Sequence, residues 1–403
     1  MTCSGKTQEV DGKIGKFINQ ARRSQCWADA ETVDRSAASK ARAKLSHSLF
    51  ESLLADAVDL AYSLWPESSE YTWHGRTVFG VDGSKYNLPA TESLREAFDP
   101  ESGLENPGVK GHYPQCLVST VYDVFRQLPV ARTVASIAEG NEREEAEAML
   151  KMLPQLPSLL LFDRGYPSYK LIKCLLEHEQ TPEFVFRCPA SSTFSAVEKF
   201  VRSGKQEAII YLDVTDSYKR NRSIVNRQGA QPLRLRVVRL VSPEGKVSVL
   251  LTNLFNKVEY SSESIIELYF RRWKVEEHYR NEKTYLEIEC FHSRSENGIR
   301  QELFAVLVMC VIARTMMTMA VPETLKVNYT PQFKNAVISL ALDAAVLTAI
   351  NPEVAIRIFE EILEEMARVK YYKPKQPRES QPRVSNKPIN KWQQGKTKRK
   401  ADA

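Results

Sequence analysis

Length, composition and charge limit what this chain can be. Its 403 residues carry a formal net charge of +6, and this length predicts two or three modules instead of one small domain. The seven cysteines are scattered without a CxxC pair or a Cys/His metal spacing, which favours a reducing, intracellular compartment over a secreted, disulfide-bonded protein. No signal peptide pattern begins the sequence, and the most apolar segment, residues 304–321, contains Arg314, so we expect a buried helix there and no membrane span.

Residues 1–70 are predicted to form a helical N-terminal region. Asp34 or Ser36 can cap one of its helices. A basic cluster then precedes an amphipathic run. The cations are Lys40, Arg42 and Lys44, and the apolar side of the run consists of Leu45, Leu49, Leu53, Leu54 and Val58. This pattern is compatible with a helix-turn-helix that reads DNA, and equally with a plain solvated helix pair.

Residues 71–188 alternate strand and helix patterns, which predicts a mixed α/β sheet core. The apolar run in "TVFGVDGSKY" ends on Asp82, and the run in "SLLLFDRGY" ends on Asp163. Between them, "QCLVSTVYDV" and "LPVARTVAS" predict two antiparallel strands joined by a turn near residues 125–127. Each aspartate is closely followed by a glycine. Ligands bind at strand ends in α/β sheets, but Asp-Gly and Asp-Arg-Gly are also ordinary turn sequences, and both interpretations stay open for either site alone.

The rest of the chain divides into four predicted parts. Residues 189–257 carry antiparallel strand signals and predict an all-β insertion. Residues 258–325 and 326–365 are predicted to be helical, the first part completing the core. Residues 366–403 hold twelve Lys or Arg against two acidic residues, with four prolines among them. We expect this basic tail to be disordered and either attracted to polyanions or merely solubilising.

One helical stretch, "YFRRWKVEEHYRNEK" at residues 269–283, carries charge where a core face would normally lie. Tyr269, Arg272, Glu276 and Lys283 fall within roughly 60° of one another on a helix. They can form a solvated face with i,i+4 ion pairs. Alternatively, Glu276 faces the strand ends that carry the two aspartates. Three such carboxylates repel one another unless a divalent cation neutralises them. Hard oxygen ligands suit Mg²⁺ or Mn²⁺, and a cluster of this kind can hold two ions.

Four stretches of the chain resemble the DDE transposases of bacterial insertion sequences, specifically the insertion-sequence-four family. The family signature on the catalytic helix is Tyr, two residues, Arg, three residues, Glu, six residues, Lys, and residues 269–283 fit it without a gap. The stretches "VFGVDGSKYNLPATESLREAFD" and "LLLFDRGYPSY" are similar to its two aspartate motifs, and "GHYPQCLVSTVYDV" to its second strand. "SAASKARAKL" looks like its N-terminal helical region, so the resemblance covers about residues 35–320.

This resemblance implies an α/β fold with an RNase H-like (retroviral-integrase-like) catalytic core, an all-β insertion, and helical N-terminal and C-terminal regions. Asp82, Asp163 and Glu276 would be the catalytic and metal-binding triad, holding two Mg²⁺ ions per active site, with Mn²⁺ as a substitute. Tyr269, Arg272 and Lys283 would contact the DNA backbone near the cut. Arg164, beside Asp163, and the cluster Lys40, Arg42 and Lys44 complete the predicted DNA-binding residues.

The implied function is a transposase that binds the ends of its element, cuts DNA by two-metal-ion phosphodiester hydrolysis and joins the 3′-OH ends to target DNA. Its partners would be double-stranded DNA, as terminal inverted repeats and target, and a second protomer, because two ends must be cut together. It would work in the bacterial cytoplasm at the nucleoid, with no membrane. An RNase H-like nuclease without strand transfer and a non-cleaving DNA-binding regulator remain alternatives.

Some relatives excise through a DNA hairpin that holds a flipped base on a tryptophan of the insertion. This insertion contains no tryptophan, so Tyr211, Tyr218 or Phe255 would have to supply the stacking face. The hairpin step therefore stays open.

Overall fold

A mixed eight-stranded sheet organises the chain. The computed structural model describes residues 7–23, 27–102, 113–191, 193–213, 231–242, 245–320, 329–343 and 352–372. The strands are β1 (Thr77–Asn87), β2 (Gln115–Asp123), β3 (Leu128–Ser136), β4 (Ser158–Phe162), β5 (Glu183–Pro189), β6 (Glu207–Leu212), β7 (Leu233–Val241) and β8 (Val247–Thr252). Their order across the sheet is β3-β2-β1-β4-β5-β8-β7-β6.

The first five strands form the RNase H-like core that the resemblance implied. Strands β1, β2 and β3 are antiparallel neighbours, and β4 and β5 run parallel to β1. All five residues of β4 are buried, because a parallel strand covered on both faces needs a continuous apolar run. The predicted turn between β2 and β3 is confirmed, and Asp123 Oδ1 accepts hydrogen bonds there from the backbone N–H groups of Phe125 and Arg126.

Twelve α-helices in the described part of the chain cover the sheet and extend beyond it. Those before the insertion are α1 (Thr7–Arg23), α2 (Arg35–Ala43), α3 (Ser48–Leu64), α4 (Glu92–Phe98), α5 (Glu142–Met149) and α6 (Tyr169–Glu177), and the one within it is α7 (Ser195–Arg202). Those after it are α8 (Ser262–Phe270), α9 (Trp273–Thr284), α10 (Glu296–Ala320), α11 (Phe333–Asp343) and α12 (Pro352–Arg368).

The insertion extends the core sheet, because its last strand β8 pairs antiparallel with β5. The sequence predicted an all-β insertion, and this prediction is wrong in one respect, because helix α7 precedes the first strand of the insertion. Val197 and Phe200, three residues apart, are buried on one face of α7 and pack it against β6 and β8. Residues 214–230, with the candidate Tyr218, lie outside the described part of the chain.

The N-terminal region is helical, and Asp34 caps α2 by accepting a hydrogen bond from the Ala37 N–H at 2.8 Å. The predicted apolar side needs a correction. Leu54 and Val58 are buried, but Leu45, Leu49 and Leu53 are 42–45% exposed. The helix is interrupted between Ala43 and Ser48, and the buried residues of α3, which packs on α10, are Leu54, Val58 and Ala61.

Helix α10 is the one helix in the described ranges that is long and apolar enough to cross a membrane, with a mean hydropathy of 2.1 over its most apolar window. Half of that window is buried inside the protein, where α10 packs against α3, β3, α11 and α12. The Arg314 guanidinium lies 4.2 Å from the centre of the Phe333 ring. These contacts are those of a buried core helix, as expected from the sequence.

The C-terminal helices form a second apolar cluster with the end of α10. The predicted start of the disordered tail, at residue 366, is too early. Helix α12 continues to Arg368, and Lys370–Tyr372 form a strand, β10, that pairs with β9 (Tyr329–Pro331). Met366 is 1% exposed, which explains why the helix persists there. The rest of the predicted tail, residues 373–403, lies outside the described residues.

Candidate active site

Two aspartates stand side by side where β1 and β4 separate. The parallel pairing of these strands runs from Thr77 opposite Ser158 to Val81 opposite Phe162. Asp82 is the next residue of β1, and Asp163 is the first residue after β4. Beyond this point β1 continues to pair with β2 alone, as far as Asn87. The strands therefore form a fork, and the parallel register places both carboxylates at its base.

Helix α9 lies over this fork and carries Glu276. The predicted helix at residues 269–283 is in fact divided between two helices, because a turn with hydrogen bonds between residues three apart separates α8 from α9. Arg271 and Arg272 donate their N–H groups to the carbonyls three residues earlier, those of Leu268 and Tyr269. Tyr279 fixes α9 to the sheet, since its hydroxyl donates to the Asp82 carbonyl at 2.7 Å.

The guanidinium of Arg272 lies among all three carboxylates. Its Nη2 is 2.9 Å from Glu276 Oε1 and 3.5 Å from Asp163 Oδ2, and its Nη1 is 3.7 Å from Asp82 Oδ2. The side chain is 6% exposed. Its Nε and Nη1 make no hydrogen bond to any described residue. Charge, more than hydrogen bonding, therefore holds this arginine in the fork.

The two aspartates have opposite electrostatic environments. Burial raises the pKa of Asp82 to about 7, against the attraction of Arg272, and the charges of Glu276 and Asp163 raise it further. Burial also acts to raise the pKa of Asp163, but Arg272, the backbone N–H of Arg164 and the Tyr269 hydroxyl outweigh it and hold this pKa below its usual value. The charge of Arg272 therefore does not compensate for the burial of the Asp82 carboxylate, whose pKa stays raised.

The chemistry of the three donors fits a divalent cation, whereas their spacing is set by Arg272. Carboxylate oxygens are the hard ligands that Mg²⁺ prefers. However, within the described ranges no group of three or more His, Cys, Asp or Glu side chains is spaced to hold a metal ion. The guanidinium lies between the carboxylates and supplies the positive charge that they require. One ion can contact all three only after this guanidinium moves away.

The other residues of the predicted catalytic helix also face the sheet. Tyr269 is 3% exposed, and its hydroxyl donates to Asp163 Oδ1 at 3.1 Å. Lys283 donates to Ser84 Oγ at 2.9 Å and to the Lys85 carbonyl at 2.6 Å. Tyr269 and Arg272 are therefore buried against the triad, and Lys283 is bound to β1. Their DNA contacts stay predictions that need these side chains to become accessible.

The remaining predicted DNA-binding residues lie in two places. Arg164 is exposed directly beside the fork, and Lys40 and Lys44 are exposed on and after α2. Arg42 instead docks α2 onto α10. Its guanidinium donates to the Gly298 carbonyl at 2.8 Å and forms an ion pair with Glu302 at 2.9 Å. Arg42 thus has a structural partner that the sequence pattern did not indicate.

A buried ion pair behind the fork was not predicted from the sequence. Arg132 on β3 donates from Nη2 to both oxygens of Glu282 on α9, at 2.8 and 2.9 Å, and both side chains are fully buried. The Tyr86 hydroxyl of β1 also donates to Glu282. The available signal was Arg132 itself, the one charged residue of β3. This network fixes the helix that carries Glu276 to two strands of the core.

The model of the family described as the transposase DDE domain matches residues 73–312, a range that includes the fork and α9. The chain belongs to this family, the DDE transposases, and the predicted resemblance is confirmed. It is similar to the transposase InsG for insertion sequence element IS4 of Escherichia coli K12, with 24% identity over 258 residues, 63% of this chain and 55% of that protein.

A second relative is the probable transposase for insertion sequence element IS5377 of Geobacillus stearothermophilus, with 26% identity over 164 residues, 41% of each protein. The matched parts thus span about half the length of these relatives, or less. Among solved structures, the piggyBac transposase synaptic complex with hairpin DNA aligns with 95% of this chain and 86% of its own, at 10% identity and a TM-score of 0.41.

Proposed function

We propose that this protein is a transposase that binds the ends of its element, cuts them by hydrolysing phosphodiester bonds and joins the 3′-OH ends to target DNA. One observation carries the proposal. Three carboxylates from three separate elements, β1, the end of β4 and α9, converge on a single buried guanidinium. A fold does not gather three repelling charges in a fork for stability alone, because each loses hydration there.

Asp82, Asp163 and Glu276 would hold two Mg²⁺ ions, which Mn²⁺ can replace. Held there, such ions would supply the positive charge that activates an attacking oxygen and stabilises the leaving one in a phosphoryl transfer. The chain's own residues position the ligands. The Tyr269 hydroxyl orients Asp163, and Tyr279 holds the backbone at Asp82. The ion pair of Glu282 with Arg132 keeps α9, and so Glu276, over the fork.

Arg272 would have two positions in this scheme. Without DNA, its guanidinium neutralises the carboxylates at distances of 2.9–3.7 Å. With DNA, it turns to the phosphate beside the cut, where its planar fork can bind two oxygens at once. This movement makes room among the carboxylates at the moment when the substrate arrives, so cation binding and DNA binding would favour each other.

Exposed cations surround the fork and suit a polyanionic substrate. Lys85, Arg143, Arg164 and Arg280 are all exposed near the strand ends or on α9. Double-stranded DNA would lie across them, with Lys40 and Lys44 as further contacts. Because two element ends are cut together, a homodimer would act in the DNA complex. The site of action would be the cytoplasm, at the nucleoid of a bacterium.

The test is cleavage of end-labelled DNA that carries the ends of the encoding element, in Mg²⁺. Asp82→Asn, Asp163→Asn and Glu276→Gln should each abolish cutting but leave DNA binding largely intact, because phosphate contacts supply most of the affinity. Glu277→Gln is the matched control. This residue follows Glu276 on the same helix but pairs with Lys274 at 2.7 Å, away from the triad.

Full cutting by any triad variant would remove that residue from the proposed site. The same reactions, supplied with a target plasmid, separate the alternatives. Covalent joining of the cut 3′-OH end to the plasmid is expected of a transposase. Cutting without joining would instead indicate a nuclease, and binding without cutting would indicate a regulator.

A further inference from the structure

A fourth carboxylate, that of Glu142, lies against the same fork. A Cβ atom placed on Gly83, directly after Asp82, would be 3.0 Å from Glu142 Oε1, and one placed on Gly165 would be 3.4 Å from Oε2. The Glu142 carboxylate therefore lies between the two glycines that follow the two aspartates. Both positions lack a side chain where this carboxylate approaches the backbone.

Glu142 reaches the fork from the face of the sheet opposite to Arg272. A Cβ on Gly80 would lie 3.3 Å from Val124 Cγ1 and 3.6 Å from Arg272 Cγ, whereas the three atoms nearest to a Cβ on Gly83 all belong to the Glu142 side chain. Residues three apart on a strand point to opposite faces. Helix α5 and helix α9 thus enclose the fork from its two sides, each with a glutamate directed at it.

The first turn of α5 is built to hold this position. Asn141 caps it, with its side-chain oxygen accepting a hydrogen bond from the Arg143 N–H at 3.0 Å. The Arg143 side chain donates to the Gly165 carbonyl at 2.9 Å, which ties the helix start to the loop after Asp163. Glu144 and Glu145 already place negative charge in this turn. The helix dipole therefore does not require Glu142 as well.

Two polar groups on this side of the fork have no protein partner. No hydrogen bond or ion pair within the described part of the chain engages the Glu142 carboxylate, although its neighbours on α5 have partners. The Tyr166 hydroxyl is also buried without a hydrogen-bond partner among the described residues. Burial raises the pKa of Tyr166 well above 10, and the nearby charges of Asp82 and Glu142 raise it further. The Glu142 side chain is only partly buried, whereas the Tyr166 hydroxyl is fully enclosed. Buried polar groups are normally satisfied, so this hydroxyl points to a missing ligand or water beside Glu142.

We propose that Glu142 is a fourth carboxylate of the cation site, binding a divalent cation directly or through one water from the side of the fork opposite to Glu276. The inference rests on the proposed function, because it assumes that Asp82 and Asp163 hold a cation. It adds a ligand that the signature of the catalytic helix does not contain. It also gives a reason for glycine at position 83, where a larger residue would displace the carboxylate.

The experiment measures Mn²⁺ binding to the whole protein in complex with DNA from a precut end of its element, the state in which Arg272 is expected to leave the fork. Electron paramagnetic resonance of the free ion gives the bound amount, the same DNA alone is subtracted, and activity is not the readout. Glu142→Gln should weaken binding about tenfold or more, the range expected when a group that supports a metal site is removed. Glu144→Gln is the matched control, since it removes the same charge from the same helical turn. It should bind Mn²⁺ like the parent.

A second variant leaves every carboxylate in place. Gly83→Ala puts a methyl group 3.0 Å from Oε1 and should displace Glu142 and weaken binding, while Gly165→Ala, at an ordinary contact distance of 3.4 Å, should have a smaller effect. Urea unfolding of each variant checks that the fold persists. Mn²⁺ binding by Glu142→Gln equal to that of the parent would overturn the inference, whatever Gly83→Ala does.

Asp163→Asn separates this inference from the proposed function. If Asp163→Asn weakens Mn²⁺ binding and Glu142→Gln does not, Glu142 alone is excluded. If the parent complex binds no more Mn²⁺ than the DNA alone, or Asp163→Asn binds it equally well, the cation site itself is wrong and the inference fails with it.

Discussion

Asp82→Asn should stabilise the cation-free protein at pH 8. Burial raises the pKa of Asp82 from 3.8 to about 7, so the folded state holds this proton more tightly than the unfolded state does. Stability is therefore lost as pH rises from about 4 through 7, because folding then has to bury the ionised carboxylate. At about 1.36 kcal/mol for each pH unit, the destabilisation reaches at most about 4 kcal/mol. An amide in the same place avoids it.

Urea unfolding in EDTA at pH 4 and pH 8 measures this effect. The advantage of Asp82→Asn should be near zero at pH 4 and grow to a few kcal/mol at pH 8, with an unchanged denaturant slope. Added Mg²⁺ should then stabilise the parent more than the variant and narrow the gap, since a ligand stabilises the state to which it binds.

Asp163→Asn is the control, because its expected effect has the opposite sign. The pKa of Asp163 is lowered, so its ionised form stabilises the folded protein at neutral pH, and this contribution is lost as pH falls through the folded pKa. Its removal should therefore destabilise the protein at pH 8. An Asp82→Asn variant that is no more stable than the parent at pH 8 would refute this electrostatic description of the fork.

Three further predictions concern other parts of the molecule. Arg132→Met should destabilise the protein by about 3–5 kcal/mol in urea unfolding, because it leaves Glu282 buried and unpaired; a loss below 1 kcal/mol would mean that the pair does not anchor α9. Arg272→Lys should lower single-turnover cleavage at least tenfold with little change in melting temperature, since a point charge cannot reproduce a bidentate fork, and near-normal cleavage would exclude the phosphate role. Deleting residues 374–403 should flatten the salt dependence of DNA binding without changing sequence preference, because the slope is about −0.9 for each neutralised phosphate; an unchanged slope would leave the tail a solubilising segment.

The strand ends could be predicted from the sequence because their signals are local. A continuous apolar run followed by Asp-Gly or Asp-Arg-Gly marks a buried strand and its exit, and both strands occur as expected. The helical face of residues 269–283 was likewise visible in its spacing. The prediction that this face points toward the sheet was made from the two aspartates. In the structure, Arg272 contacts both Asp163 and Glu276 and so brings Glu276 close to the aspartates.

The positions of the cations could not be predicted from local patterns. Arg272 was expected at a phosphate but lies among the carboxylates, because the fork is the place in its reach where a buried positive charge is best neutralised. Arg42 belongs to a basic cluster in sequence, yet its partner Glu302 lies 260 positions further along the chain. Glu142 gave no signal at all, since only the tertiary fold brings α5 to Gly83 and Gly165. Contacts of this kind depend on packing and not on spacing.

The most direct test of the central claim is the location of Mn²⁺ by anomalous diffraction in crystals of the protein bound to DNA from an end of its element. We predict Mn²⁺ between Asp82, Asp163 and Glu276, with the Arg272 guanidinium withdrawn from the fork and bound to a DNA phosphate. A structure in which DNA is bound while Arg272 still lies among the three carboxylates and Mn²⁺ binds elsewhere would contradict the proposed active site.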